Sequence, residues 1–240
     1  MKTEKWGFVK SSIFFVSMFQ LFRIFGEDKL HLGRTFSCKH ESSALNLHYL
    51  CYQFLIKVRI MIQNERASRH EHVLDVARQM MTAARTAPKG KGVDIIEIAI
   101  VTGNDLKVLS DKMITMVEEH GMKFFLRDAA NILQAECVII IGTREQAQGL
   151  NCGHCGYPTC AGRPEGVPCA INSVDVGIAI GSACATAADL RVDTRVMFSA
   201  GLAAQQLEWL SGCKSVYAIP VSASSKNPFF DRKPKEEKKD

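Results

Sequence analysis

Residues 137–142 read CVIIIG, a short run of β-branched and small residues that predicts a strand buried on both faces. Residues 94–101 (DIIEIAIV) show the same pattern and predict a second buried strand. Apolar residues recur at helical spacing over 68–86, 106–120 and 124–134, so we expect a helix in each segment. The alternation of helix and strand predicts a layered α/β domain, an α+β sandwich.

The rest of the chain extends this pattern. We expect a helix over 171–189, a helix over 194–211 that is capped by Asp193, and a strand over 215–221. Pro220 lies near the end of that strand and indicates an edge position in the sheet.

Two glycines stand out in the 171–189 segment. Gly177 and Gly181 lie four residues apart, and therefore on one face of the predicted helix. Each glycine costs a helix about 1 kcal/mol relative to alanine. Two of them predict a close approach to another backbone, either within the chain or across a homodimer interface.

The first sixty residues differ from the rest in charge. Residues 1–60 hold nine Lys and Arg against four Asp and Glu, whereas residues 61–240 hold 21 of each sign. The body is therefore neutral, and the formal net charge of +5 does not indicate nucleic-acid binding. The apolar run at 13–25 is broken by Gln20 and Arg23, so no membrane span is expected.

The same contrast predicts the domain boundaries. We interpret residues 1–60 as a non-native or poorly structured N-terminal extension and Met61 as the start of the working protein; a membrane-associated helix and a genuine structured extension are the alternatives. Residues 61–230 then form a single α/β domain with a cysteine-rich loop inserted at 151–170. The tail 231–240 (DRKPKEEKKD) is charged and predicted to be disordered.

Four of the nine cysteines fall within eighteen residues of that loop. They are Cys152, Cys155, Cys160 and Cys169, with the spacing C-x2-C-x4-C-x8-C. The glycines and prolines between them allow tight turns that can aim several sulfurs at one point. This pattern predicts a metal centre held by thiolates.

Three interpretations fit four cysteines at this spacing. Disulfides are disfavoured, because the sequence has no convincing export signal and reduced thiols are expected in the cytosol. Structural zinc usually uses two separate C-x2-C pairs, which is not the pattern here. Spacing alone puts an iron–sulfur cluster only modestly ahead of zinc, and His154 is an alternative to Cys169 as fourth ligand.

Cys169 lies immediately before the predicted 171–189 helix. A helix N-terminus presents free N–H groups and a partial positive charge. Because a 4Fe–4S cluster on four thiolates is anionic, docking at this terminus would stabilise its more reduced state. The position therefore supports Cys169 as a ligand.

The wording of the loop resembles a known motif. Residues 151–162 (NCGHCGYPTCAG) match the C-G-x-C-G-x-P-x-C loop that holds a 4Fe–4S cluster in electron-transfer subunits and corrinoid proteins. The matching residues are Cys152, Gly153, Cys155, Gly156, Pro158 and Cys160. The loop departs from those proteins in its last gap, because they place the fourth cysteine about twice as far along.

Beyond the loop, residues 73–232 resemble the uncharacterised prokaryotic family of ferredoxin domain-containing proteins. The matching blocks are AARTAPKGKGVD (83–94), FFLRDAANI (124–132), NCGHCGYPTCAG (151–162), VDVGIAIGSACATAADLRVDTRVMFSAG (174–201) and IPVSASSKNPFFDR (219–232). The resemblance implies a 4Fe–4S protein of unassigned activity whose members begin near Met61.

A weaker resemblance is to FMN-dependent nitroreductases. Residues 83–88 (AARTAP) are similar to the end of a helix that precedes a strand in those enzymes. The resemblance implies a nitroreductase-like fold and bound FMN, with Lys89, Lys226 and Arg232 as candidate cofactor-binding residues. The arginine-rich N-terminal motif and the Asn-x-Gln-Pro-Trp segment of nitroreductases do not occur in this sequence. We also interpret residues 89–92 (KGKG) as a solvated turn in preference to an anion-binding one.

Together these features predict a cytoplasmic oxidoreductase-like protein that carries one 4Fe–4S cluster and passes single electrons. Its expected partners are an electron-transfer protein, a flavin or a small-molecule substrate. The alternative from another class is a zinc-stabilised, non-catalytic binding module. The sequence shows no clear nucleophile–base pair, P-loop or dinucleotide fingerprint that would name a reaction.

Overall fold

A computed structural model of the chain describes residues 62–230. The predicted extension at 1–60, the start at Met61, the tail at 231–240 and the candidate residue Arg232 lie outside the described residues.

Five helices and four strands alternate along the described chain, with a short 3₁₀ turn after the first helix. They are α1 (Glu65–Thr86), the 3₁₀ turn (Gly90–Gly92), β1 (Ile96–Val101), α2 (Asn104–His120), α3 (Phe124–Ile132), β2 (Cys137–Arg144), α4 (Ala170–Asp189), β3 (Asp193–Thr194), α5 (Phe198–Gln206) and β4 (Cys213–Ser222). The layered α/β prediction is confirmed, and most predicted elements lie within a few residues of the observed ones.

The four strands form one antiparallel sheet in the order β1-β2-β4-β3. Strand β2 is hydrogen-bonded on both sides: Ile139 lies opposite Ile100 of β1 and opposite Ile219 of β4. Every residue of β2 from Cys137 to Thr143 is buried. The prediction of a buried strand at 137–142 is therefore confirmed.

Successive side chains of β2 point to opposite faces of the sheet, and each face is covered by helices. Val138 and Ile140 pack against α2, α3 and α5, whereas Cys137, Ile139 and Ile141 pack against α1 and α4. The result is three layers, helix–sheet–helix, with a separate apolar core on each side of the sheet.

Two predictions about the strands are wrong. Strand β1 is not buried throughout, because it lies at the sheet edge and only Ile96 and Val101 are buried in it. Strand β4 is not an edge strand, because it lies between β2 and β3. Pro220 is tolerated there because its nitrogen faces the side of β4 that pairs with β3, which is only two residues long.

The predicted helix over 194–211 is also wrong at both ends. Asp193 does not cap a helix, because it pairs with Ser222 in the sheet. Met197 then exchanges two backbone hydrogen bonds with Ala218, at 2.8 and 3.0 Å, which holds the chain extended up to the start of α5. The helix begins at Phe198 and ends at Gln206.

Helix α4 does not make the close contact predicted from its glycines. A Cβ atom placed on Gly177 or Gly181 would meet nothing within 4 Å. The close approach lies in α5, where a Cβ on Gly201 would come within 2.2 Å of the Val216 carbonyl oxygen in β4. The glycines of α4 therefore face outward in the described chain, and the homodimer stays a prediction.

By length and apolar composition, one helix among residues 62–230 could cross a membrane, and it is α4. The core helices of globular folds pass the same test, and α4 packs against α1 and the sheet.

We expect Gly201→Ala to lower the free energy of unfolding by about 1–3 kcal/mol, because the added methyl group collides with backbone that cannot move aside. Gly181→Ala is the matched control: it makes the same change in a helix, in open space, and should leave stability unchanged or raise it by up to about 1 kcal/mol. Urea denaturation of both variants measures the difference. Equal effects would show that α5 does not approach β4 this closely.

The buried thiol of Cys137 makes stability depend on alkaline pH. Burial, followed by the charge of Glu136, raises the pKa of Cys137 to about 12. The unfolded chain therefore loses this proton first, and the stabilising contribution is lost as pH rises above the ordinary thiol range. Between pH 8 and 10 we expect a loss of about 2 kcal/mol that Cys137→Val does not show. The measurement is urea denaturation under reducing conditions at both pH values. Parallel curves for the two proteins would contradict the assignment.

Candidate functional site

The four loop cysteines lie between the end of β2 and the start of α4. Cys152 is exposed, and Cys155, Cys160 and Cys169 are half-buried. All seven cysteines among residues 62–230 carry free thiols. The disulfide interpretation therefore finds no support in the described chain.

A reciprocal pair of hydrogen bonds closes the first half of the loop. The backbone N–H of Cys160 donates to Oδ1 of Asn151 at 2.8 Å, and the backbone N–H of Asn151 donates to Sγ of Cys160 at 3.4 Å. Asn151 adopts a positive φ of 48°, a conformation that asparagine tolerates better than most residues. This clasp brings the residue before Cys152 against Cys160 and leaves one thiol with a fixed N–H donor.

Cys169 is the N-cap residue of α4. Burial raises the pKa of its thiol, but hydrogen bonding by the backbone N–H groups of Gln148, Asn172 and Ile171 outweighs burial. The charge of Arg163 acts in the same direction, and the net pKa is lowered. The N-terminus of α4 therefore stabilises a thiolate at this position, as its place in the sequence predicts.

Unsatisfied polar atoms gather around Cys169. Both ends of the Gln148 amide, Nε and Nη1 of Arg163, and Oδ1 of Asn172 are buried without a hydrogen-bond partner. These are all the buried side-chain atoms without a partner in the described part of the chain, residues 62–230. Buried polar groups of this kind call for a specific explanation.

Several contacts fix this region against the rest of the domain. Oε1 of Glu145 accepts from the Gly166 backbone N–H at 3.0 Å, and Nδ2 of Asn172 donates to the carbonyl of Gln146 at 2.5 Å. From the other side, Nζ of Lys91 donates to the carbonyl of Gln148 at 3.2 Å. Both ends of the loop are therefore tied down, while its centre makes only short turns.

The donor set fits an iron–sulfur cluster. Four free thiols occupy one loop, Cys160 receives an N–H hydrogen bond, and the half-buried guanidinium of Arg163 acts on Cys169. Such N–H donors and positive charges accompany thiolate-bound clusters. The thiols do not form a ready-made site for a single metal ion. Among residues 62–230, no group of three or more His, Cys, Asp or Glu side chains could hold one. The cysteine ligands therefore stay a prediction.

The candidate FMN-binding residues lie in different settings. Nζ of Lys89 donates to the carbonyls of Ala84 and Ala87, at 3.1 and 2.8 Å, and to that of Arg85. Its ammonium therefore caps the C-terminus of α1. The carbonyl of Lys226 accepts from the hydroxyl of Ser224.

A second polar cluster lies away from the cysteine loop and is fully satisfied. Asp128 is 3% exposed, and its carboxylate accepts from the Ser199 hydroxyl at 2.6 Å and pairs with Arg127 at 2.7 Å. Arg195 lies 3.8 Å from the same carboxylate and donates to the carbonyl of Phe229 at 2.9 Å. The cluster ties the segment around Phe229 to the domain, and it accounts for Asp128 and Arg195 as structural ion pairs.

Sequence reasoning missed three residues of the site. Asn151, Gln148 and Arg163 flank or lie within the cysteine loop, but none belongs to a spacing pattern of its own. Asn151 carries the one available signal, because an asparagine at the start of a glycine-rich loop suits a positive φ.

Comparison with known proteins supports the family. The sequence profile described as "Uncharacterized protein containing a ferredoxin domain (DUF2148)" matches residues 165–232. An uncharacterized protein of Archaeoglobus fulgidus is 38% identical over 185 residues, which cover 73% of this chain and 100% of that protein. The chain belongs to this ferredoxin-domain family. The predicted family is thereby confirmed, and membership supports a redox role; the profile match includes Cys169 but not the other three loop cysteines.

Several solved structures that the chain resembles are described as nitroreductases. Nitroreductase CinD from Lactococcus lactis, in complex with nicotinic acid, is 15% identical, with 69% of this chain and 82% of that chain covered and a TM-score of 0.48. A nitroreductase with bound FMN from Bacteroides fragilis is 10% identical, with 69% and 84% covered and a TM-score of 0.47. Both scores are below 0.5, so FMN and nicotinic acid remain properties of those proteins.

We expect Asn151→Ala to loosen the loop of this ferredoxin-domain protein, because Cys160 N–H loses its acceptor, at a local cost of about 1 kcal/mol. Hydrogen exchange at the Cys160 amide should accelerate about fivefold, whereas Asn151→Asp keeps an acceptor oxygen and should stay near the wild-type rate. Exchange measured by mass spectrometry on peptides across the loop gives both values. Equal acceleration in the two variants would count against the clasp.

Proposed function

We propose that the chain binds one 4Fe–4S cluster through Cys152, Cys155, Cys160 and Cys169 and transfers single electrons. The observation that carries the proposal is the gathering of four free thiols in one loop that ends at the N-terminus of α4. Membership of the ferredoxin-domain family supports it independently.

A bound cluster would supply a one-electron redox centre. The chain would supply four thiolate ligands and the groups that stabilise their negative charge. Two donors are already in place: the Asn151 N–H at the sulfur of Cys160, and the first N–H groups of α4 near the sulfur of Cys169. Hydrogen bonds to the sulfurs favour a more negative, reduced cluster.

The position of the loop suits electron exchange with another molecule. Residues 152–154 are exposed, and so are most residues from 158 to 168. A centre held here lies near the protein surface and can be approached by a partner protein or a small molecule. The proposal includes such a partner without naming its identity.

The test uses the full chain, purified without oxygen and with its native metal content. We expect four irons and four sulfides per chain, a broad absorption near ~400 nm, and a paramagnetic signal on one-electron reduction. Substituting Cys152, Cys155, Cys160 or Cys169 by serine should each lower the iron content or change the signal. Cys184→Ser is the matched control, because this half-buried thiol lies within α4 outside the loop.

The same samples separate the alternatives. His154 is exposed, and His154→Ala should retain the cluster; loss of iron in that variant and not in Cys169→Ser would make His154 the fourth ligand. Colourless protein with one tightly bound zinc and no iron would overturn the proposal and support the zinc-stabilised binding module.

Flavin content is measured in parallel. A flavin released on denaturation would support FMN near Lys89, Lys226 and Arg232 and would make the chain a flavoprotein with a cluster. Its absence from freshly purified protein removes FMN from the proposal and leaves the cluster unaffected.

A further inference from the structure

Arg163 is the feature of the cysteine loop that the ligand set does not explain. Its backbone N–H donates to the carbonyl of Cys160 at 3.4 Å, so the residue closes a turn that begins at the third cysteine. The Nε and Nη1 atoms of its guanidinium are buried without a hydrogen-bond partner. Among residues 62–230 it forms no ion pair with a carboxylate.

Arg163 as a whole is half-buried, but these two nitrogens are shielded from water, and a buried donor without an acceptor is unfavourable. The charge of Arg163 also lowers the pKa of the Cys169 thiol, so the guanidinium lies close enough to act on that sulfur. Arginine keeps its charge at all relevant pH values, and its planar fork can donate two parallel hydrogen bonds. The two unpartnered nitrogens are therefore available to sulfur acceptors in the loop.

We propose that Arg163 is a positioning residue that sets the reduction potential of the cluster by compensating the negative charge gained on reduction. The inference rests on the proposed function. Net charge around a cluster and hydrogen bonds to its sulfurs are among the factors that set its potential. A positive charge held in the loop favours the more negative, reduced state, so its removal lowers the potential.

Gln148 strengthens the assignment. Its side chain is 6% exposed, and both its Nε2 and its Oε1 lack partners, while its backbone N–H is one of the groups near the sulfur of Cys169. The unpaired atoms are three donor nitrogens, Nε2 of Gln148 and Nε and Nη1 of Arg163, and two acceptor oxygens, Oε1 of Gln148 and Oδ1 of Asn172. The three nitrogens can donate hydrogen bonds to an anion with several acceptor atoms.

The test is a potentiometric titration of the reconstituted full chain, followed by electron paramagnetic resonance. Arg163→Gln should shift the one-electron reduction equilibrium towards the oxidised state by about tenfold, which is 59 mV. Arg163→Lys keeps the charge and should stay within about threefold of the wild type.

The matched control is Arg191→Gln, which removes the same charge from an exposed residue beyond the C-terminus of α4. Since α4 has 20 residues, it spans about 30 Å, and this variant should leave the potential unchanged. An equal potential in Arg163→Gln and Arg191→Gln, or a shift towards the reduced state, overturns the inference.

Other outcomes are also decisive. A folded Arg163→Gln chain that holds less than a tenth of the wild-type iron overturns the inference, because Arg163 is then needed for assembly and not for the potential. If Arg163→Gln does not fold, Arg163→Lys carries the test, and a tenfold shift in that variant overturns it. Wild-type protein that binds no iron defeats the proposed function itself, which separates the two failures.

Discussion

The structure depends on the pairing of β2 with strands on both sides. Its backbone groups are satisfied by β1 and β4, and its alternating side chains are buried under helices on both faces. A strand with no exposed face can exist only when all of these partners are in place, so both apolar cores form around one segment. The cysteine loop leaves directly from the end of this strand, which gives the candidate metal centre a rigid origin. Its other end is fixed by α4, which belongs to the core containing Ile139.

The buried polar groups of the domain are of two kinds, those with partners and those without. Around Asp128 every charge has a partner, and the cluster serves to hold the chain near Phe229. Around Cys169 the opposite holds, because side-chain nitrogens and oxygens of Gln148, Arg163 and Asn172 are buried without a hydrogen-bond partner. Because the protein interior has a low dielectric constant, a buried polar group without a partner lowers stability. A fold keeps such a group where it has a role other than stability. The contrast within one small domain is the physical basis for treating the cysteine loop as the functional region and the Asp128 cluster as structural.

The sequence pattern identified the layered fold, because a strand that is buried on both faces needs a continuous apolar run, as residues 137–142 show. The similar apolar run at 94–101 predicted a strand buried on both faces, and this is wrong for β1. Composition cannot tell how many strands flank a strand in the sheet. The end of the chain was harder still: Met197 is held extended by Ala218, twenty-one residues later, and local helix preference cannot report that pairing. At the site, spacing and motif identified four cysteines, whereas Arg163 and Gln148 acquire their roles only through burial. A residue that matters because its polar atoms lack a hydrogen-bond partner leaves no periodic or spaced pattern in the sequence.

The 3₁₀ turn at Gly90–Gly92 connects the far end of α1 to the loop through α4. The backbone N–H of Gly90 donates to both carboxylate oxygens of Asp175 at 3.0 Å, and a Cβ at Gly90 would lie 2.7 Å from Ile171. Ile171 and Asp175 belong to the first two turns of α4, whose leading N–H groups lie near the sulfur of Cys169. A side chain at position 90 would therefore have to displace the Ile171 side chain, which belongs to the helical turn next to Cys169. Position 90 lies outside the cysteine loop, but packing couples it to the helix terminus at which the candidate metal centre is proposed.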